Sequence, residues 1–529
     1  ATTQPGTKLG LSDAKVILQM TSSTEFNQKL FVIEHCNGIE IYGFKITDRI
    51  VHFTYQETRC FYIYESENII IGDALKGNVI LNWTYGIQIE SQTAYNKNFR
   101  ISGNFIGLNE DGETPEYNYH SVLLNRIENF TFGGPTSAHG NHIASAGKRV
   151  EISGGKGVLH IENNKIGCNY SGTIALSLPY GESSHLFDNI AILNSPWYNE
   201  IDYDTEIKVL KNLLTGTCRS GIYILGYGKK FYIQGNTIGT DVTGQFIMND
   251  FMDFGIRIEN SRYGIIGVEN NDSEKNIIAF AKRGSGSETH QAGSAIAIAN
   301  TQGVTISRNS IFCDNNKGIN FDTNSIYRAP IVTINQVDAN SISGHTSPHA
   351  KIEFFRDDNC TNCEGKDFLN LTTIADASGN WSLSNVNTNN IVVTATGTDG
   401  QTSEFSSPAY KANNLIIRNA TCGRNNGQIS GINITSGTRW QWIDANGNVA
   451  GTDTTLKNAA PGIYHLVVGI GSNNCSISSQ EFEIKNQTVP DLSPGVVLTP
   501  ASCGLGNGSI LINDEFNQFK ITWLNATGD

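Results

Sequence analysis

The chain has 529 residues, a length that implies three or four domains rather than a single core. Hydrophobic residues make up 39% and charged residues 16%, and glycine fills 54 positions, a turn-rich composition that excludes helix bundles and coiled coils. The net charge of −13 opposes phosphate backbones and anionic membrane surfaces, so no nucleic acid partner is expected. No stretch approaches the roughly 18–20 apolar residues of a bilayer span, so no membrane-spanning segment is expected either.

Through the first 325 residues one phrase, apolar-x-apolar-x-x-Asn-x-Ile, recurs. It appears around Asn104, Asn164, Asn236 and Asn309, which follow one another at 60, 72 and 73 residues, and in a shorter form around Asn212, 24 residues before Asn236. A second phrase, Gly-Ile-x-Ile, stands between copies at Gly38, Gly86, Gly221 and Gly255. Both read as strands of three to five residues with alternating side chains, bounded by Gly or Asn turns. Such strands cannot bury an apolar face alone, so a unit of about 24 residues must stack on its like. This predicts a parallel β-solenoid over residues 1–327 with about 13 coils about 4.8 Å apart. Asn suits the fixed corner of each coil, because it tolerates left-handed backbone and its amide can bond to the Asn above and below. The four phrase asparagines should therefore lie along one edge.

After Arg328-Ala329-Pro330 the strands lengthen and alternate, with turn clusters at Asp376–Asn380 and Thr398–Gly400, which predicts an all-β sandwich over 328–412. A duplication follows at a constant offset of 81: Cys422-Gly423 matches Cys503-Gly504, Asn426-Gly427 matches Asn507-Gly508, Ile429 matches Ile510 and Trp442 matches Trp523. The repeat spans 413–487, with an incomplete second copy over 488–529. The offset places the partner of Cys503 at position 556, beyond Asp529, so the module is expected to continue in a longer protein.

The segment 233–244, Ile-x-Gly-Asn-Thr-Ile-Gly-Thr-Asp-x-Thr-Gly, followed by Gly255-Ile256-Arg257-Ile258, resembles the right-handed parallel β-helix repeats of bacterial surface proteins. Thr394-Ala395-Thr396 with Thr402-Ser403-Glu404-Phe405-Ser406 resembles the Ig-like module that follows such helices in exported proteins of the Bacteroidota. The repeat Cys-Gly…Asn-Gly-x-Ile…Trp…Ala459-Ala460-Pro461-Gly462-Ile463-Tyr464…Cys475 is similar to the tandem repeats of gliding-motility adhesins exported by the type IX secretion system. The resemblance implies a non-enzymatic, secreted, cell-surface protein that works with that secretion machinery and contacts polysaccharide, substratum or other surface proteins. The alternative is a polysaccharide lyase or hydrolase acting on the solenoid face, with the C-terminal modules serving for display.

Among candidate chemistries, Asp202, Asp204 and Glu206 alternate along one strand and form the best acidic cluster, followed by Asp250 and Asp253. Neither has a basic residue in matching register, so both read as solvated faces of an acidic protein. His139-Gly140-Asn141-His142 lacks Glu or Cys at ligand spacing and reads as loop histidines. Asp444–Asn448 reads as a hairpin turn rather than a Ca²⁺ loop. Trp197-Tyr198 and Tyr117-Asn118-Tyr119 are the candidate loop aromatics. No catalytic residue, cofactor or metal ligand is assigned. Five scattered cysteines up to Cys313 read as small buried apolar residues, and Cys360 and Cys363 as a loop pair. Cys422 and Cys475 begin and end one repeat and are the only cysteines in it, so a disulfide between them is expected, closing a 53-residue loop worth about 4 kcal/mol.

Overall fold

The computed structural model describes residues 16–19, 27–48, 57–74, 76–116, 118–144, 147–176, 187–194, 204–216, 218–227, 230–248, 252–268, 274–282, 291–323, 325–337, 340–357, 363–387, 391–407, 409–410, 415–431, 439–469, 476–479, 481–487, 496–512 and 522. The chain divides into two compact units, one holding residues 1–412 with 434–440 and 466–480, the other holding 413–433, 441–465 and 481–529.

From Val16 to Phe321 the first unit is a parallel β-helix with three strand ladders. The first ladder has ten short strands, from Val16–Gln19 to Ser310–Phe312. The second runs from Gln28–Glu34 through Cys218–Leu225 to Ile319–Phe321, and the third from Glu40–Ile41 through Lys230–Gln234 to Gln302–Ser307. In two coils the second and third strands merge into one, His120–Gly133 and Val150–Glu162. The alternation of the sequence becomes columns. Ile33 pairs with Ile63, Ile63 with Ile89, and the register continues through Leu124, Ile152, Ile192, Ile224 and Ile258 to Ile298, all buried. Each such side chain contributes about 1.5–3 kcal/mol by leaving water. The Gly of Gly-Ile-x-Ile is a close-approach position: a Cβ on Gly221 would lie 2.6 Å from the Gly255 carbonyl oxygen and 2.7 Å from Ile238 Cγ2.

Asn104, Asn164, Asn236 and Asn309 do share one edge, in a buried ladder of eight with Asn78, Asn141, Asn212 and Asn276. Each Nδ2 donates to the Oδ1 of the next at 2.8–3.0 Å. Successive members stand 26, 37, 23, 48, 24, 40 and 33 residues apart. The spacings 60, 72 and 73 are thus two coils each, not three, and the first ladder has ten strands rather than 13. Coils of 23 and 24 residues are bare, whereas the longest, of 48, carries insertions after both its first and its second strand.

Residues Thr333–Thr396 supply two antiparallel groups of three strands, Thr333–Val337, Ser341–His345 and Asn380–Ser384 as one sheet, and Asp367–Ile374, Lys351–Arg356 and Ile391–Thr396 at the start of a larger one that continues through Ala409–Tyr410 to Ser476–Ser479. Ile342, Ile352, Phe354, Trp381 and Val393 fill the space between them. This sandwich closes the last coil of the solenoid. Gln401 Oε1 accepts the Val304 N–H at 3.1 Å, Thr402 Oγ1 that of Ile306 at 2.9 Å, and Glu404 Oε1 that of Phe321 at 3.0 Å. Glu353 accepts the Ser307 hydroxyl at 2.8 Å and the Arg308 N–H at 3.3 Å, and Glu364 accepts the Asp314 N–H at 3.0 Å. Side-chain oxygens thus replace carbonyls that a further coil would have supplied.

In the second unit, the offset of 81 is reproduced bond for bond. Asn426 Oδ1 accepts the Thr421 N–H as Asn507 Oδ1 accepts that of Ser502, and each Asn amide returns a bond to the same residue's hydroxyl. Cys422 and Cys503 sit at φ 51° and 50°, and the pairing of Ile417 with Ile429 recurs as Leu498 with Ile510. Trp442 is fully buried and donates Nε1–H to the Asp453 carbonyl, and Tyr464 donates its hydroxyl to the Ala460 carbonyl. Asp444 accepts the N–H groups of Asn446 and Asn448, so Asp444–Asn448 is a hairpin turn.

Candidate functional site

Polar side chains collect on the outer face of the second ladder in two clusters. In the first, the Arg59 guanidinium bonds to Asn27, Gln88 and Glu57 and stacks over Tyr85, while Tyr62 donates to Glu90. In the second, Arg219 grips Asp188 through Nε at 3.1 Å and Nη2 at 2.5 Å. The Tyr223 hydroxyl donates to Glu259 at 2.7 Å, and the other Glu259 oxygen accepts from Arg257 at 2.7 Å. The Tyr223 ring lies between two guanidinium carbons, 5.4 Å from that of Arg219 and 4.9 Å from that of Arg257. Burial and the bond to Glu259 push the Tyr223 hydroxyl far above its ordinary range, so it stays a donor at neutral pH. The carboxylates here are committed to cations and donors. With Tyr223 only 8% exposed, the cluster ties neighbouring coils together rather than offering a ring face or a free base.

A second feature covers the outer face of the first ladder. Three hairpins, closed by bridges Leu108 to Pro115, Cys168 to Ala175 and Thr240 to Ile247, rise from alternate coils and stack into a rib. Tyr170 N–H donates to the Gly112 carbonyl, and Val242 N–H to that of Gly172. Asn169 holds its turn by accepting from the N–H groups of Gly172, Thr173 and Ile174, and Asp241 accepts from Gln245 and Phe246. Beneath the rib His142 packs in a triangle of rings with Phe105 at 4.9 Å and Tyr170 at 4.7 Å, which are 5.9 Å from each other. Burial, then the nearby Lys165, holds its pKa down to about 3. The signal in the sequence is Ile-Gly-x-Asx-x-x-Gly at 106–112, 166–172 and 238–244, which the Asn-x-Ile phrase overshadows.

The residues expected from the sequence are dispersed. Asp204 is exposed and Glu206 pairs with Lys208, while Asp202 lies outside the described residues. Asp253 is buried on a strand, and Asp250 lies outside them. The His pair separates: His139 ends a short 3-10 turn near Asp73, but His142 is a buried strand residue, not a loop one. Tyr119 packs against His120, with Phe187 beyond, whereas Tyr117, Trp197 and Tyr198 lie outside the described residues. Cys60, Cys168 and Cys218 are buried free thiols and Cys36 is half-buried, but Cys313 is disulfide-bonded, so it is not a packing residue only. Cys363 is also disulfide-bonded, and Cys360 lies outside the described residues. Cys422 carries a free, exposed thiol here, and its expected partner Cys475 lies outside the described residues. Among the described residues no group of three or more His, Cys, Asp or Glu is placed to hold a metal ion, and no helix is long and apolar enough to cross a membrane.

No protein-family model matches the chain, and no curated protein does. Among solved structures similar to it is one described as "Biofilm associated protein - BSP domain", 15% identical over 31% of this chain and 30% of that one, with a TM-score of 0.13. The aligned part therefore spans less than a third of that structure's length.

Proposed function

We propose that this chain belongs to a secreted, non-enzymatic, adhesin-like protein of the bacterial cell surface. In this reading it is delivered by the type IX secretion machinery, stays associated with the outer membrane, and contacts polysaccharide, substratum or other surface proteins, with gliding motility as one setting. One observation carries the reading: Gln401, Thr402 and Glu404 of the sandwich close the last coil of the solenoid. The solenoid and sandwich are thus continuously bonded, and the sequence then continues into a module repeated at an offset of 81. A tethered contact-maker needs such stiffness. An enzyme needs instead a carboxylate or base left uncommitted, and Asp188, Glu206 and Glu259 are each held by a cation.

The test is incubation with acidic and neutral polysaccharides, with and without Ca²⁺, reading retention and new chain ends together. Retention without cleavage is expected. Reproducible cleavage abolished by Asp204→Ala or Asp202→Ala would overturn the proposal. Export is checked by surface labelling of the native protein in cells with and without a working type IX system, where loss of labelling is expected in the latter.

A further inference from the structure

The stretch Glu364–Phe368 of the sandwich lies antiparallel to the last strand of the first ladder, Ser310–Phe312, and its contacts set a register. Arg308 stacks over the Phe368 ring at 4.9 Å, and Lys366 over the Phe312 ring at 4.5 Å. The Ile311 N–H donates to the Gly365 carbonyl at 3.0 Å, and the Asp314 N–H to Glu364 Oε1 at 3.0 Å. Partners thus pass from Phe368 back to Glu364 as the coil runs from Arg308 to Asp314, which sets Cys313 beside Glu364 and its neighbour Cys363. Both cysteines are disulfide-bonded and half-buried, whereas Cys36, Cys60, Cys168 and Cys218 of the earlier coils keep free thiols. Cys313 also holds a left-handed φ of 59°. Gly or Asn would adopt that backbone more cheaply, so the turn alone does not account for a cysteine.

We propose that Cys313 and Cys363 are bonded to each other, and that their bond is a redox-sensitive latch on the terminal edge of the solenoid. A disulfide needs Cα atoms within about 7 Å. Residues flanked by hydrogen bonds on both sides, from Ile311 to Gly365 and from Asp314 to Glu364, meet that condition. The bond closes a 50-residue loop that contains Thr333–Val337, Ser341–His345 and Lys351–Arg356, so it fastens strands of both sheets to the coil that the sandwich caps. A small dithiol opens it by thiolate attack on one sulfur, which expels the other as a thiolate. The second thiol of the reductant then resolves the mixed disulfide. The reductant leaves as a disulfide, having given two electrons and two protons, and Cys313 and Cys363 end as thiols. Hydrogen bonds from Gln401, Thr402, Glu404 and Glu353 then hold the edge alone, and it opens more often.

The experiment uses the full chain. Peptide mapping after alkylation without reductant should recover Cys313 linked to Cys363. Hydrogen exchange is then followed with and without dithiothreitol. On reduction, the amides of Val304–Phe321 should exchange at least about tenfold faster, with those of Thr58–Ile101 unchanged. Cys363→Ser should show the fast rate without reductant and no further change with it, which separates this bond from any other that the reductant opens. A map that joins either cysteine to Cys360 or Cys475, or that recovers Cys313 as a free thiol, would overturn the proposal. So would exchange at Val304–Phe321 that reduction of the parent leaves unchanged, a measurement that stands even if the variant does not fold.

Discussion

Replacing Asn164 by Ala tests what holds the coils in register. Its Oδ1 accepts both the backbone N–H and the Nδ2 of Asn141 at 3.0 Å, while its Nδ2 donates to Asn212 Oδ1 at 2.9 Å and to the Phe132 carbonyl at 3.0 Å. The site is fully buried, so water does not replace what is lost. The Asn141 N–H is orphaned, the Phe132 carbonyl loses a donor, and a hole the size of an amide opens. At about 1–3 kcal/mol for each unsatisfied buried group, the cost is about 3–5 kcal/mol. The control is Asn68→Gly in the exposed ladder, where Asn98 donates to Asn68 and Asn68 to Asn37. Gly accepts the left-handed φ of 55° at that site, so the change should stay within about 0.5 kcal/mol. Hydrogen exchange across the coils and urea unfolding read both. If Asn164→Ala stays within about 1 kcal/mol of the parent, the ladder is decoration and the reasoning fails.

His142 makes the rib acid-sensitive. Its folded pKa, about 3, lies below the ordinary 6.5, so the unfolded chain binds the extra proton and stability should fall as pH drops from about 6.5 toward 3. His142→Phe, which repeats Phe105 in the same column, should lessen that slope in pH-dependent melts, the remainder belonging to His120, which burial also holds down to about 3. Glu353→Ala should cost about 2–3 kcal/mol locally, seen as faster exchange at Val304–Phe321 with the early coils unchanged. For the proposed Cys422–Cys475 bridge, peptide mapping without reductant should recover the two linked. Recovery of both as free thiols removes it. The left-handed φ of 51° at Cys422, recurring at Cys503, is one that Gly or Asn would adopt more cheaply, so something other than the turn favours cysteine there.

The solenoid was legible because its core is periodic: Ile63, Ile89, Ile224 and Ile258 recur in a single column. The coil count was not, because a spacing of 72 is three bare coils or two with an insertion, and Asn212, 48 residues after Asn164 and 24 before Asn236, fits both. Asn141, immediately before His142, was the missing rung between Asn104 and Asn164. Its neighbours Gly140 and the two histidines hide it, since together they look like a loop. The paired carboxylates were unreadable for a different reason. Arg219 and Asp188 are 31 residues apart, and Tyr223 and Glu259 36, distances that acquire meaning only once the insertions of each coil are known.

The sandwich shows the same dependence on register. Thr402-Ser403-Glu404 looks like an ordinary strand end, yet Thr402 and Glu404 each offer a side-chain oxygen to the last coil, and the Thr402 N–H donates to Val304. A parallel solenoid must end on a row of donors and acceptors that its own sequence cannot satisfy. In this chain the next domain satisfies them, with Glu353 and Glu364 reaching in from a second direction. The boundary near residue 327 is thus a change of strand pattern, not a gap in bonding. A force applied through the sandwich reaches the solenoid through its terminal edge, where several bonds are loaded in parallel. Glu353→Ala should therefore weaken that edge before it weakens either fold: in single-molecule pulling through the sandwich, the last coil should detach first and at lower force than in the parent. Rupture that begins instead within the sandwich, at unchanged force, would show that these side-chain oxygens carry no load.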